Sequence, residues 1–355
     1  MKFDKVVIDS HIHLYNWFSE NGKDFFSSID EYQKRFNLKA LNLCALPNVY
    51  SDVSSNIMCA IYKLHNPTAY SYGGFVYPEF PVKPPLPAEM DALTQYNELM
   101  EIGFDGIKLI ESKPFEYKLI SLPFTDEFYS GFFAQAEKDA THIIWHVADP
   151  ETFWDRDRIP ERFIERGWFY GDGTYPSLEQ IYGEVFEILK KHPKLKAQFA
   201  HFFFWSEHPE RLEKLFSKYE NVSIDIVPGA EMYESFNNNY DFYRNFFIKN
   251  SERIVYGTDV SFTYDDMERY NRLTDEVYRS ITSDTNISIY QVDCKGLNLP
   301  DDVCENILHN NFIKACHPTP NTINKAALKK YIDKYKHLIK NEASKKMILD
   351  FAEKL

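Results

Sequence analysis

Eight short, almost wholly apolar runs recur along this chain, each followed by an amphipathic stretch. They are Val6–Ser10, Ala40–Ala45, Ala69–Val76, Gly106–Ile110, His142–Val147, Ala197–Phe203, Val222–Val227 and Arg253–Gly257. Runs this short, apolar on both faces, suit parallel strands covered by helices. Most starts lie about 30 residues apart, the span of one strand–helix unit. Eight such units predict a (β/α)8 TIM barrel; no glycine-rich phosphate loop follows the first run to favour an open doubly wound sheet.

Helix punctuation agrees with that spacing. Ser177-Leu178-Glu179-Gln180 reads as a capping box for a helix ending at His192-Pro193. Glu210–Tyr219 reads as another helix, Pro87 is expected to open one that Gly103 closes, and Thr263 to start a long one reaching about Thr282. The fifth and sixth runs stand 55 residues apart, which leaves 148–176 as an inserted loop. Because it follows a strand, it must lie over the carboxyl-end mouth of the barrel. Its aromatic and basic residues, Trp154, Arg156, Arg158 and Arg162 among them, point to a substrate-binding lid. The alternative is a plug packed at a subunit interface, as in a homodimer. Beyond 282 a small hairpin (286–296), a helix (300–315) and a Lys-rich terminal helix are expected. The division is a barrel catalytic domain over 1–320 and a C-terminal helical extension over 321–355, packed outside it.

Composition narrows the function. At 44% hydrophobic and 26% charged residues the chain has material for a large core. A net charge of −13 argues against nucleic acid and anionic membrane as partners, and leaves a small-molecule substrate. No apolar run approaches the ~18 residues of a membrane span, and the charged start is too short of apolar residues for a signal segment. The five cysteines show no CxxC spacing and read as reduced thiols, so a cytoplasmic location is expected.

The chemistry collects at the ends of the runs. The first ends Ile8-Asp9-Ser10-His11-Ile12-His13, and alternation along a strand puts His11 and His13 on one face. The fifth ends in His146, the sixth in His201, and the eighth in Gly257-Thr258-Asp259. Imidazole and carboxylate are the donors a borderline divalent cation prefers, Zn²⁺ above all, with Mn²⁺, Fe²⁺ or Co²⁺ as alternatives. Asp225, inside the seventh run, is a candidate to hold a ligand histidine from behind.

This conjunction resembles the amidohydrolase superfamily of metal-dependent (β/α)8 barrels. Gly106-Ile107-Lys108-Leu109, Tyr256-Gly257-Thr258-Asp259 and the late helix 299–315 look like the branch containing aminocarboxymuconate-semialdehyde decarboxylase. The likeness covers about residues 5–317. It implies that His11, His13, His146 and Asp259 bind one metal, with His201 as proton shuttle or substrate polariser. Lys108 is then either an unmodified substrate contact or, carbamylated, the bridge between two metals; an ion pair with Glu111 is its structural alternative.

The expected reaction is hydrolysis of an amide, lactone or similar bond, with Asp259 taking a proton from water activated by the metal. A non-oxidative decarboxylase would need the same five strand-end residues, and a ligand-binding barrel without turnover is the third reading. The arginines of the loop suit a carboxylate-bearing substrate in any of these.

Overall fold

The computed structural model describes residues 2–15, 24–48, 51–262 and 266–355. Its centre is a parallel sheet whose strands are β1 (Ile8–Leu14), β2 (Ala40–Cys44), β3 (Tyr70–Gly73), β4 (Gly106–Ser112), β5 (His142–Val147), β6 (Lys196–Phe199), β7 (Val222–Asp225), β8 (Ile254–Val255) and β9 (Val260–Phe262). Their order is β8-β7-β6-β5-β4-β3-β2-β1-β9. The two edges come from one stretch of chain: the expected eighth run supplies β8, and β9 lies just beyond it, after a break at residues 256–259. Ser10 N–H donates to Tyr256 O at 3.2 Å and Asp259 N–H to His11 O at 2.9 Å, so the sheet closes on itself as the expected barrel.

That closure depends on Gly257. A Cβ there would lie 2.9 Å from both His11 Cβ and Val227 Cγ2, closer than side chains approach one another. Asp9 fixes the same junction. It accepts from Thr258 N–H (3.2 Å), Thr258 Oγ1 (2.7 Å) and the Tyr32 hydroxyl (2.7 Å), tying the first strand to the last.

Strands buried on both faces need helices outside and a packed interior. Ile8, Cys44, Tyr70, Tyr72, Ile144 and Val255 fill the lower barrel together with Phe312, from a helical segment spanning 301–315 that plugs the amino-terminal end. Asn311 anchors this plug by donating to Ser251 O (2.6 Å) and Ile254 O (2.7 Å). The helix Met267–Thr282 shows the outer layer's logic: Tyr270, Leu273, Val277 and Ile281 recur every three or four residues and are all buried. Its expected start at Thr263 lies outside the described residues; Asp266 caps it, accepting from Arg269 N–H at 3.0 Å. Ser177 caps Leu178–Lys191 as its motif predicts, accepting from Gln180 N–H at 3.1 Å.

Three expectations are corrected in detail. The third strand ends at Gly73 rather than Val76, because the Gln95 side chain takes over the backbone of Val76 (2.7 and 3.1 Å) from a neighbouring strand. Pro87 opens only a tight turn over Ala88–Met90; the helix proper is Ala92–Ile102, because Asp91 is the better cap and accepts from Thr94 N–H at 2.9 Å. The 148–176 insertion is not a bare loop. It holds helical turns at Glu151–Trp154 and Glu161–Ile164 around a satellite cluster of Phe153, Ile159 and Tyr170, a small folded cap.

The hairpin is β10 (Asn286–Ile289) with β11 (Val292–Lys295). Helices Lys325–Tyr335 and Glu342–Ala352 follow; the first packs on Ala92–Ile102 and Ser54–His65, where Asn56 donates to the Tyr331 hydroxyl at 2.9 Å. Among the described residues no helix is long and apolar enough to cross a membrane.

Candidate metal centre and active site

His11 and His13 stand on the inner face of β1, and each is committed from behind. His13 Nδ1 lies 2.7 Å from Cys44 O, an acceptor only, so Nδ1 carries the proton there. His11 Nδ1 lies 3.2 Å from Asp225 Oδ2, and a carboxylate likewise asks for a proton on Nδ1. Both rings therefore turn a bare Nε2 inward. Asp259 comes to meet them: its Oδ1 is 3.1 Å from His13 Nε2 and 3.8 Å from His11 Nε2. The three donor atoms lie within 4.8 Å of one another.

Two nitrogen lone pairs and a carboxylate converging on one point repel unless a positive charge sits among them. Two imidazoles and a carboxylate, each imidazole fixed by an outer acceptor, fit a borderline divalent cation. Lys108 on β4 partly supplies that charge, its Nζ 3.0 Å from His11 Nε2. Burial lowers the Lys108 ammonium below its ordinary range. Lys108 thus points at His11 rather than forming the alternative ion pair; Glu111 instead accepts from the Tyr77 hydroxyl at 3.2 Å.

His146 and His201 stand beside this group. Their rings are 4.8 Å apart, and the His201 ring is 6.2 Å from that of His11. His146, expected as a metal ligand, is outside the close-packed donor group; its Nε2 is 3.5 Å from Asp149 Oδ1. Burial lowers both histidines to about 4, helped at His146 by the Lys113 charge and at His201 by its neighbour His146, so both rings are neutral at pH 7. His201 Nδ1 is buried without a hydrogen-bond partner among the described residues. At Asp259 burial alone would raise the carboxyl, but the His13 contact and the attraction it feels from His13, His201 and His11 when they are protonated hold it well below the usual carboxylate range.

Backbone strain marks the same positions. Ala148, His201, Phe202, Phe203, Phe204 and Asp259 all have left-handed φ, between 53° and 63°. Each costs a residue with a side chain about 1 kcal/mol. They follow β5, β6 and β8, the strand ends that deliver His146, His201 and Asp259. Asp225 over-determines the turn after β6: its Oδ1 accepts from His201 N–H at 2.8 Å while its Oδ2 takes Gln198 Nε2 at 3.0 Å.

His11, His13, Lys108, His146, His201 and Asp259 line a cavity of about 930 Å³ roofed by the cap. Trp154, Arg156 and Arg158, expected to bind substrate, are not among its lining residues. Trp154 donates to Pro176 O (3.0 Å) and packs on Tyr170, Arg156 pairs with Glu161 (3.2 Å), and Arg158 pairs with Glu207 (3.0 Å). Besides Asp149 and Pro150 at its start, the cap residues that reach the cavity are Phe153, Arg162, Phe163, Arg166 and Trp168. The sequence reading missed Lys113, Asp149 and Glu231. Asp149 had a signal, standing three residues after His146 just past a strand end. Glu231 had none, because only the turn after β7 decides that it faces inward.

No known family profile matches the sequence, and no curated relative matches it. Solved structures do. A protein from Staphylococcus aureus assigned to the amidohydrolases aligns at TM-score 0.54 and 14% identity, over 90% of this chain and 100% of its own. An uncharacterised TIM-barrel protein from Bordetella bronchiseptica aligns at TM-score 0.51 and 12% identity, over 89% of this chain and 98% of its own. An amidohydrolase from Burkholderia multivorans with bound zinc aligns at TM-score 0.51 and 10% identity, over 89% and 100%. The barrel is shared along nearly the whole chain, at identities that speak for the fold alone.

Proposed function

We propose that this chain is a metal-dependent hydrolase of the amidohydrolase type, acting on a small molecule enclosed between the barrel mouth and the cap. The observation that carries the reading is the convergence of His11 Nε2, His13 Nε2 and Asp259 Oδ1, with both histidines held in the tautomer a cation requires. Those three residues would hold the metal, His146 standing by. When bound, such a cation supplies Lewis acidity, which acidifies water and polarises a carbonyl.

The chain's own groups supply the rest. Asp259 is ionised at neutral pH and lies at the carboxyl end of the barrel, so it can accept a proton from the attacking water. His201 is neutral and its Nδ1 has no hydrogen-bond partner among the described residues, which suits it to hydrogen-bond the attacked carbonyl oxygen or to pass a proton to the leaving group. Lys108 adds a buried cationic donor beside His11. The cap roofs the cavity in which the reacting bond would lie.

Two measurements test this. Elemental analysis of the purified protein should find close to one transition metal per chain, and much less in His13→Ala. A panel of lactones, N-acyl amino acids and aromatic carboxylic acids should then reveal metal-dependent cleavage at a carbonyl. Release of CO₂ without carbonyl cleavage would replace the hydrolytic reading with decarboxylation, and absence of metal would sink both.

A further inference from the structure

The cavity mouth is basic although the chain as a whole carries a net charge of −13. Arg162 and Arg166 reach it from the cap, Arg269 and Arg272 from the helix Met267–Thr282. The cap's two outward arginines are neutralised by Glu161 and Glu207. The four inward ones form no ion pair with a carboxylate among the described residues. Glu276, one turn beyond Arg272, offsets part of their charge, but burial holds its own carboxyl up.

Neutral groups position these guanidiniums instead. Arg162 lies over the Phe163 ring, 4.9 Å from its centroid, and donates to Gln291 Oε1 at 3.4 Å. Arg166 lies over Trp168 at 5.5 Å. The Tyr290 hydroxyl faces Arg269. Tyr290 and Gln291 are the tip of the β10–β11 hairpin, with left-handed φ of 50° and 70°. One two-residue turn therefore meets the cap with one side chain and the helix Met267–Thr282 with the other. Contacts of this kind aim a guanidinium without cancelling its charge. Asp149 and Glu231 also line the cavity, the first of them paired with Lys113.

We propose that this arginine wall is a second binding site, separate from the candidate metal group, for a small oxyanion: a carboxylate or a phosphate carried by the substrate. Guanidinium forks pair with either group through two parallel hydrogen bonds. A molecule anchored there presents its scissile bond to His201 and Asp259 at the cavity floor; this last step rests on the function proposed above, whereas the anion site itself does not.

Isothermal titration at low salt, on protein stripped of metal by chelation, tests the site with glutarate and methyl phosphate as probes. At least one should bind, and Arg162→Gln/Arg269→Gln should weaken it by about tenfold or more. The pair Arg166→Gln/Arg272→Gln should weaken it too, which covers the chance that the first double variant fails to fold. Arg156→Gln/Arg158→Gln should bind like the parent. Glutarate alone identifies a carboxylate site and methyl phosphate alone a phosphate site. Binding of neither probe, or equal binding by all three variants, overturns the proposal. Metal uptake measured on the same preparations separates the two readings: its absence with anion binding intact condemns the hydrolase and leaves the anion site standing.

Discussion

His13 Nε2 and Asp259 Oδ1 lie 3.1 Å apart, although Cys44 O already claims the proton of the neutral His13 ring at Nδ1. The pair is stable only as imidazolium and carboxylate or with a cation between them. A cation that binds the folded chain alone stabilises it by mass action, about 4 kcal/mol at a thousand times its Kd. Zn²⁺ should therefore raise the melting temperature of chelator-treated protein by several degrees, read by differential scanning fluorimetry. Asp259→Asn should lose most of that shift while still unfolding cooperatively. An unchanged Zn²⁺ response in the variant would remove Asp259 from the donor set.

Asp225 serves two strand ends at once, holding the His11 ring through Oδ2 and the His201 backbone through Oδ1. Asn at this position keeps the shape but can offer an N–H where His11 needs an acceptor. Such outer partners are worth about 10–100-fold in metal affinity. Asp225→Asn should weaken Zn²⁺ by that amount in competition with a chromophoric chelator, and Asp225→Glu should recover part of it. Full affinity in the Asn variant would reduce Asp225 to a backbone clamp.

Glu231 titrates in an informative direction. Both its carboxylate oxygens are buried without a hydrogen-bond partner among the described residues, and burial, then the charges of Asp149 and Glu207, push its carboxyl up to about 7. Unfolded, it titrates near 4.3, so the folded chain holds this proton more tightly. Its contribution is then intact below about pH 4 and is lost as the pH rises towards 7, a penalty of about 4 kcal/mol. Glu231→Gln carries no such penalty. Its melting temperature should match the parent near pH 4.5 and exceed it at pH 8; parallel curves across that range would mean that Glu231 is solvated or paired.

The barrel was legible because its signal is one-dimensional: apolar runs at a fixed spacing survive in the sequence, and so do histidines at their ends. The donor group of His11, His13 and Asp259 follows from period-two alternation and strand closure, both local rules. What was not legible depends on pairings across the cap. Arg156 and Arg158 look like Arg162 and Arg166 in sequence, yet Glu161 and Glu207 neutralise only the first two. Which arginine faces the cavity is decided by the cluster of Phe153, Ile159 and Tyr170, whose packing no periodicity announces. His146 shows the same limit: its strand position is right, but Asp149, three residues on, lies against its ring nitrogen.

Asp149 also joins the cap to the barrel. It accepts both oxygens' worth of contact from Lys113 Nζ (2.6 and 2.7 Å) and a bond from the Tyr170 hydroxyl at 2.7 Å, while Lys113 lies 4.9 Å over Trp168 of the cap. Burial alone would raise the Asp149 carboxyl, but Lys113 and His146 hold it well below the usual range, so it stays ionised and keeps its grip. Tyr170→Phe removes one hydrogen bond, about 1 kcal/mol. Lys113→Met strands a buried carboxylate, a loss of about 3 kcal/mol. If the cap is latched through Asp149, limited proteolysis should cut within 151–176 faster in Tyr170→Phe and faster still in Lys113→Met, with the barrel fragments surviving. Equal rates in all three proteins would show that the apolar cluster alone holds the cap down, because only the latch differs between them.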